Sequence, residues 1–230
     1  MSILCFQMRF CLAAEKKARE RVLEVAEQLF YREGVRAVGI DAIIARSGVA
    51  KMSLYRNFAS KDALIVAYLE ARDRRFFDRW DRAVGADDVD PCVRVNGLIA
   101  ATIERVRQPG YRGCPFLNTS AEFPDPTHPA RAVINCHNQE VRERLLRICG
   151  GLNIPKTETL VTQLIVLMDG IYASAAVLTD DEAAAVLGAA NALVLAQITR
   201  PSDRGRTSGS HLQRASSSKE HPLSRRRRTT

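Results

Sequence analysis

Lys51, Met52, Ser53, Tyr55, Arg56, Asn57 and Lys61 lie within one short stretch, GVAKMSLYRNFASKD at residues 48–62. Their side chains suit a polyanion that carries readable edges. Tyr55 is long enough to reach a phosphate, Ser53 can donate a short hydrogen bond, and Lys61 sits at a helix start where backbone N–H groups also attract anions. Lys51, Met52, Arg56 and Asn57 are better placed for base edges: arginine favours guanine O6/N7, asparagine favours adenine, and methionine can meet a thymine methyl. Val49, Leu54 and Phe58 recur at roughly helical spacing and form the opposite, buried stripe. Gly48 follows Ile40, Ile43 and Ile44 and can take the positive φ that ends a helix. A turn, a short two-faced helix and the start of another helix suit entry into a DNA groove. The plainer alternative is that Tyr55 and Arg56 merely cover a helical bundle.

Other reactive side chains give weaker patterns. Cys5, Cys11, Cys92, Cys114, Cys136 and Cys149 show no CxxC pair and no zinc-ligand spacing. With no export signal expected, they read as thiols in a reducing compartment, and the expected location is the cytoplasm. His128 and His137 have no HxxxH or HxxE partner, so neither a metal nor a cofactor is expected. Cys114 precedes a proline and lies close to Arg112, which leaves three readings open: apolar packing, a redox-sensing thiol, or a nucleophile paired with His128 or His137. The sequence identifies no oxyanion device or orienting partner, so an enzyme is not expected.

The elements that would position these groups are helical throughout. Apolar periodicity predicts helices over 17–33, 40–47 and 51–58, and a fourth capped by Ser60 and running to 80 or beyond. In that fourth helix Arg72 to Arg75 read as solvated surface. Gly85 to Pro91 reads as a linker, followed by helices over 92–106, 129–149, 156–178 and 181–198. QPGYRGCPF reads as a turn, and the three prolines of EFPDPTHP forbid a continuous helix there. No convincing strand alternation is present, so the expected fold class is all-α.

Charge divides the chain in the same way. Residues 16–76 carry 13 Lys/Arg against 8 Asp/Glu, residues 77–199 carry 11 against 15, and residues 200–230 carry 9 against 2. A basic amino-terminal block followed by an acidic middle suggests that one part meets a polyanion and the other does not. From Pro201 onward large apolar residues are nearly absent, so a disordered basic tail is expected. Its run Arg225–Arg228 would add nonspecific affinity at most, and deleting 201–230 should leave sequence preference intact. No run of about 18 apolar residues exists, so no membrane span is expected. The start, MSILCFQMRFCL, lacks a basic leading region and does not read as a signal peptide, and Met8 is a possible alternative start.

The pattern LF..GV....I..I...SGVAKMSLYRNFASKDAL, from Leu29 to Leu64, closely resembles the amino-terminal domain of the TetR family of transcriptional regulators. The resemblance implies an all-α chain with an amino-terminal three-helix helix-turn-helix DNA-binding domain and a larger helical ligand-binding and dimerisation domain. It places the DNA-binding domain at 16–76, with the helix-turn-helix at 39–58 and the recognition helix at 51–58. One position departs from the family pattern: Val38 and Gly39 stand where Thr or Ser usually caps the second helix. A backbone N–H contact to phosphate is the most expected there.

The segment RGCPF…AEFPDP.HPA, Arg112–Phe116 and Glu122–Ala130, resembles a subgroup of the same family. The resemblance implies that 77–199 bind a small-molecule effector and dimerise through the last two helices, whose alanines and Gly188 permit close approach. An effector pocket is expected beside the RGCPF segment, with Cys114, Phe116, Leu117, Phe123, Met168 and Tyr172 as candidate lining or, alternatively, plain core. The implied partners are a double-stranded DNA operator, an unidentified small molecule and a second copy of the chain, with no membrane partner. Repression rather than activation is likewise a family expectation.

Overall fold

The structure, a computed structural model, describes residues 3–174 and 178–198, with side chains from Lys17 onward. The expectations for the basic tail and for the side chains of residues 1–16 fall outside the described residues. Nine α-helices and no strand occur among the described residues: α1 (Ile3–Glu33), α2 (Ile40–Ser47), α3 (Lys51–Asn57), α4 (Lys61–Val84), α5 (Pro91–Val106), α6 (Pro115–Glu122), α7 (Pro129–Gly150), α8 (Thr157–Ala173) and α9 (Asp180–Ile198). The fold is all-α, as expected.

Local chemistry sets the boundaries. Gly34 (φ 90°) and Gly48 (φ 63°) occupy the left-handed region where α1 and α2 stop, and the Gly48 amide donates to the Ile44 carbonyl at 3.0 Å. Ser60 accepts from the Ala63 amide at 3.1 Å to start α4, and Asp90 accepts from the Cys92 amide at 2.8 Å to start α5. Pro91, Pro115 and Pro129 each sit in a first turn, where no amide hydrogen is needed.

Three elements differ from those expected by more than one residue. α6 was not anticipated: its eight residues are too few to show a period, although Pro115 marks its start. α8 ends at Ala173 rather than 178, with Ser174 at its carboxyl end. α1 extends back to Ile3.

Two apolar cores are threaded by one helix. The first gathers Val22, Ala26 and Phe30 of α1, Ile43 of α2, Leu54 of α3 and Leu64 and Tyr68 of α4. The second gathers Phe77, Trp80 and Val84 from the far half of α4 with residues of α5, α7, α8 and α9. The division expected at 76/77 thus falls inside α4, where its buried face passes from one core to the other. Cys114 and Phe116 of the α6 region, and Ala130 and Ile134 of α7, belong to the first core.

α9 is by length and composition long and apolar enough to cross a membrane, with mean hydropathy 1.2, although its apolar residues do not form one unbroken run of 18. It packs as a bundle helix: Ala183, Ala190 and Val194 are buried in the second core, and Asn191 accepts from Asn96 of α5 at 2.7 Å.

Candidate nucleic-acid interface and ligand cavity

α3 turns Leu54 fully inward, with Val49 and Phe58 buried on either side, so the rest of this seven-residue helix faces outward. Met52 is 75% exposed and Tyr55 42% exposed, high values for large apolar side chains. Lys51 is exposed and reaches Asp41 of α2 at 3.3 Å, an ion pair open to exchange for a phosphate or base edge. Arg56 is exposed, while Ser53 and Asn57 are half-buried. The Asn57 amide donates to the Ser53 carbonyl at 2.8 Å, so reaching a base requires a rotamer change. α1 holds this helix pair in place: Arg21 donates to the Ser47 carbonyl at 2.6 Å, and the Arg19 guanidinium lies 5.1 Å from the centre of the Phe58 ring.

Gly39 stands at the start of α2 in extended conformation and makes no side-chain bond. Lys61, at the first turn of α4, donates to the Arg36 carbonyl at 3.2 Å. Partial burial lowers its pKa, against the opposing pull of Glu122 and Asp62.

Sequence reasoning did not find what stands behind Lys61. Glu122, at the end of α6, accepts from the Arg36 amide at 2.6 Å, and Arg36 donates back to the Glu122 carbonyl at 3.3 Å. His128 caps α7 by accepting from the Ala130 amide at 3.2 Å, stacks on Phe123 and lies 3.5 Å from Asp62 of α4. The EFPDPTHP segment therefore grips the loop before α2 and the start of α4. The Pro-rich composition gave a turn but no docking direction.

The six candidate lining residues separate. Cys114 and Phe116 are buried in the first core, Leu117 is exposed, and Phe123 lies under the Arg36 guanidinium. Met168 is buried in the second core. Tyr172 lines an actual cavity of about 400 Å³, walled by Phe76, Trp80, Leu98, Thr102, Arg79 and Arg105 among others, between α4, α5 and α8. Cys114 and Phe116 border a smaller annex of about 70 Å³, which shares Phe76, Arg79, Arg105 and Tyr172 with the larger space. A few hundred cubic ångströms suits a small organic ligand.

Arg72 and Arg75, read from sequence as solvated, also wall the annex. Arg72 is half-buried, stacked on Tyr31 at 4.6 Å and donating to the Glu27 carbonyl at 3.4 Å, while Arg75 pairs with the Glu27 carboxylate. A signal was available: Arg72, Phe76, Arg79 and Ala83 fall on one face of α4 at helical spacing.

Burial pushes the Cys114 thiol pKa up, with only partial relief from the Phe116 and Leu117 amides. His137 is engaged elsewhere, stacked on Phe116 at 3.6 Å and bonded through Nδ1 to Asp73 at 2.7 Å. Burial outweighs that carboxylate and lowers the His137 pKa.

Comparison with known proteins places these features in a family. The sequence model of the bacterial regulatory proteins of the tetR family matches residues 22–68, from the last third of α1 through the first third of α4. An uncharacterized HTH-type transcriptional regulator of Mycobacterium tuberculosis is 34% identical over 90 residues, 39% of this chain and 44% of that protein. The chain thus aligns with less than half the length of that relative. The HTH-type transcriptional repressor NemR of Escherichia coli is 27% identical over 122 residues, covering 53% of this chain and 61% of NemR. Among solved structures, a TetR-family transcriptional regulator from Streptomyces coelicolor superposes with TM-score 0.74 at 30% identity, covering 80% of this chain and 97% of that one.

Proposed function

Because this chain belongs to the TetR family of bacterial regulatory proteins, we propose that it is a ligand-responsive transcriptional repressor acting as a homodimer in the cytoplasm. Each subunit places α3 in one of two successive major grooves, whose centres lie about 34–36 Å apart, so the operator is nearly palindromic. The observation that carries this reading is the outward face of α3, where Met52 and Tyr55 stand in solvent over a buried Leu54. Ser53, Tyr55 and Lys61 position phosphates, and Lys51, Met52, Arg56 and Asn57 meet base edges. Repression follows the name of the NemR relative.

Dimerisation draws support from α8 and α9. Val166, Leu195 and Ile198 are exposed, and a Cβ added at Gly170 or Gly188 would meet nothing within 4 Å. Only 22% of the apolar α9 window is buried, which leaves a face suited to the same helices of a second copy. A ligand in the cavity walled by α4, α5 and α8 favours a dimer whose recognition helices no longer match the groove spacing. Induction then equals the difference in ligand affinity between the two states. The α6–α7 segment links cavity to reading head, since Cys114 and Phe116 border the annex and Glu122 holds the Arg36 loop. Redox sensing through Cys114 is disfavoured by burial, which keeps the thiol protonated.

Selection of bound fragments from random DNA tests the reading. A palindromic motif with half-sites about one helical turn apart is expected. Fragments without a shared sequence would overturn it. Tyr55→Ala combined with Lys61→Ala should abolish binding to the selected motif.

A further inference from the structure

The cavity beside Tyr172 has an electrostatic character that specifies its ligand further, given the effector-binding reading above. Arg79, Arg82 and Arg105 wall the larger space, against Glu104 as its one carboxylate; Arg79, Arg82 and Glu104 are exposed, and Arg105 is half-buried. Two of these arginines, Arg79 and Arg105, also wall the annex and so stand where the two spaces join. Of their neighbours, Arg75 pairs with the Glu27 carboxylate, while Arg72 lies 4.0 Å from it and keeps a buried Nε without a hydrogen-bond partner. Arg79 and Arg105 form no ion pair among the described residues, and the Arg105 guanidinium lies 5.1 Å from the centre of the Tyr111 ring. Loss of solvent and the charges of Arg105, Arg72 and Arg75 hold the Arg79 pKa below its ordinary value.

An unmatched hydrogen-bonding group lies in the same place. The Tyr111 hydroxyl is buried at the annex wall and has no partner. A buried polar atom without a partner is costly, and one at a cavity wall is explained by a ligand atom that completes it. Phe76, Trp80 and Tyr172 add aromatic rings to the wall, beside Ala83, Leu98 and Ala101 and the polar Thr102 and Gln108.

We propose that this cavity binds an amphipathic organic anion, an aromatic carboxylate or sulfonate whose rings lie against Phe76, Trp80 and Tyr172 and whose acid group is held by Arg79 and Arg105. Two planar guanidinium groups supply forked donors that match such an acid group, and the half-buried Arg105 meets it with less competition from water than the exposed Arg79. Tyr111 donates to the same group or to a polar substituent beside it. A neutral ligand of the same shape would leave the arginine charges uncompensated, and a cationic one would be repelled.

A matched pair of fluorescent probes tests this on the full chain. Anilinonaphthalene sulfonate carries the acid group, and N-phenylnaphthylamine has the same rings without it. The sulfonate should bind at one site per subunit and about tenfold tighter than the amine, the difference expected of one charge-assisted contact. Arg79→Ala and Arg105→Ala should each weaken the sulfonate by about tenfold and leave the amine within about twofold. Ala101→Trp, which fills the cavity, should remove both probes, and Arg147→Ala on the outer surface of α7 should change neither. Circular dichroism melts of every variant identify any that fails to fold, and for such a position the lysine variant, which keeps the charge, should retain sulfonate binding. Equal affinity for both probes, insensitive to the arginines but abolished by Ala101→Trp, would overturn the anion assignment and leave the effector cavity standing. Binding of neither probe, or binding that survives Ala101→Trp, would remove the cavity reading itself.

Discussion

Gly39 shows how one missing hydroxyl sets an expectation for affinity. It starts α2 in extended conformation, φ −85° and ψ 157°, which threonine adopts freely, and an added Cβ would meet nothing within 4 Å. Gly39→Thr should therefore fold normally, gain only a few tenths of a kcal/mol in stability, and add a phosphate donor at the groove edge. Operator binding at moderate salt should tighten by about threefold to tenfold, the value of one ordinary hydrogen bond at a solvent-exposed site. Fluorescence anisotropy measures it, and an unchanged or larger dissociation constant would defeat the argument. Cys114 presents the opposite case, a reactive group made inert. Its pKa is raised by burial, so the thiolate becomes available only above the ordinary thiol range and its fraction grows as pH rises. At neutral pH iodoacetamide should label the exposed Cys136 well before Cys114, and Cys114→Ser should leave operator binding unaltered by peroxide. Peptide mass spectrometry reads the labelling order; comparable rates at the two positions would restore the sensing alternative. The residue types at both sites were legible in the sequence. Burial was not, because Cys114 is enclosed by α1 and α4 side chains that lie dozens of residues away.

Helix identities followed well from periodicity, and the buried stripe of Val49, Leu54 and Phe58 was readable because it lies within ten residues. Contacts between helices were less accessible. Gly97 of α5 lies so close to α4 that an added Cβ would stand 2.6 Å from the Ala83 carbonyl, yet no local pattern distinguishes it from Gly188, where space is open. The RGCPF part of the α6–α7 segment reads from sequence as a pocket border and does line the annex, but its docking onto the Arg36 loop is not legible, because that depends on Glu122, 86 positions away. That contact makes an element-level expectation. Glu122 orders the loop carrying Gly39 and the carbonyl that holds Lys61 without itself offering anything to phosphate. Glu122→Ala should accelerate hydrogen exchange at the Arg36 amide and weaken operator binding by about threefold to tenfold, a loss near 1 kcal/mol. The slope of affinity against salt should stay unchanged, since no phosphate contact is removed. Tighter binding would mean instead that relief of carboxylate–phosphate repulsion dominates, and the positioning role would fall.

At the scale of the whole molecule the unresolved tension is in α9, apolar enough to span a membrane yet mostly uncovered within one subunit. Uncovered apolar helix faces in a water-exposed protein call for a partner, and a twofold-symmetric reader of a palindrome needs that partner to be its own copy. Gly188 makes the idea testable because, among the described residues, an added Cβ there would meet nothing within 4 Å. In an isolated subunit Gly188→Ala would stabilise α9 by up to about 1 kcal/mol, the ordinary helix-propensity gain. Where a second helix crosses at this point, Gly188→Leu holds the two backbones apart, and Val166→Glu places a charge in the same seam. Both variants should shift sedimentation from dimer toward monomer while preserving helical content by circular dichroism. Operator binding should then weaken steeply and lose its preference for two half-sites, because each subunit carries a single α3. A dimer that persists in both variants would place the twofold axis elsewhere on the molecule. A wild-type chain that sediments as a monomer at micromolar concentration would break the link between the exposed α9 face and operator symmetry.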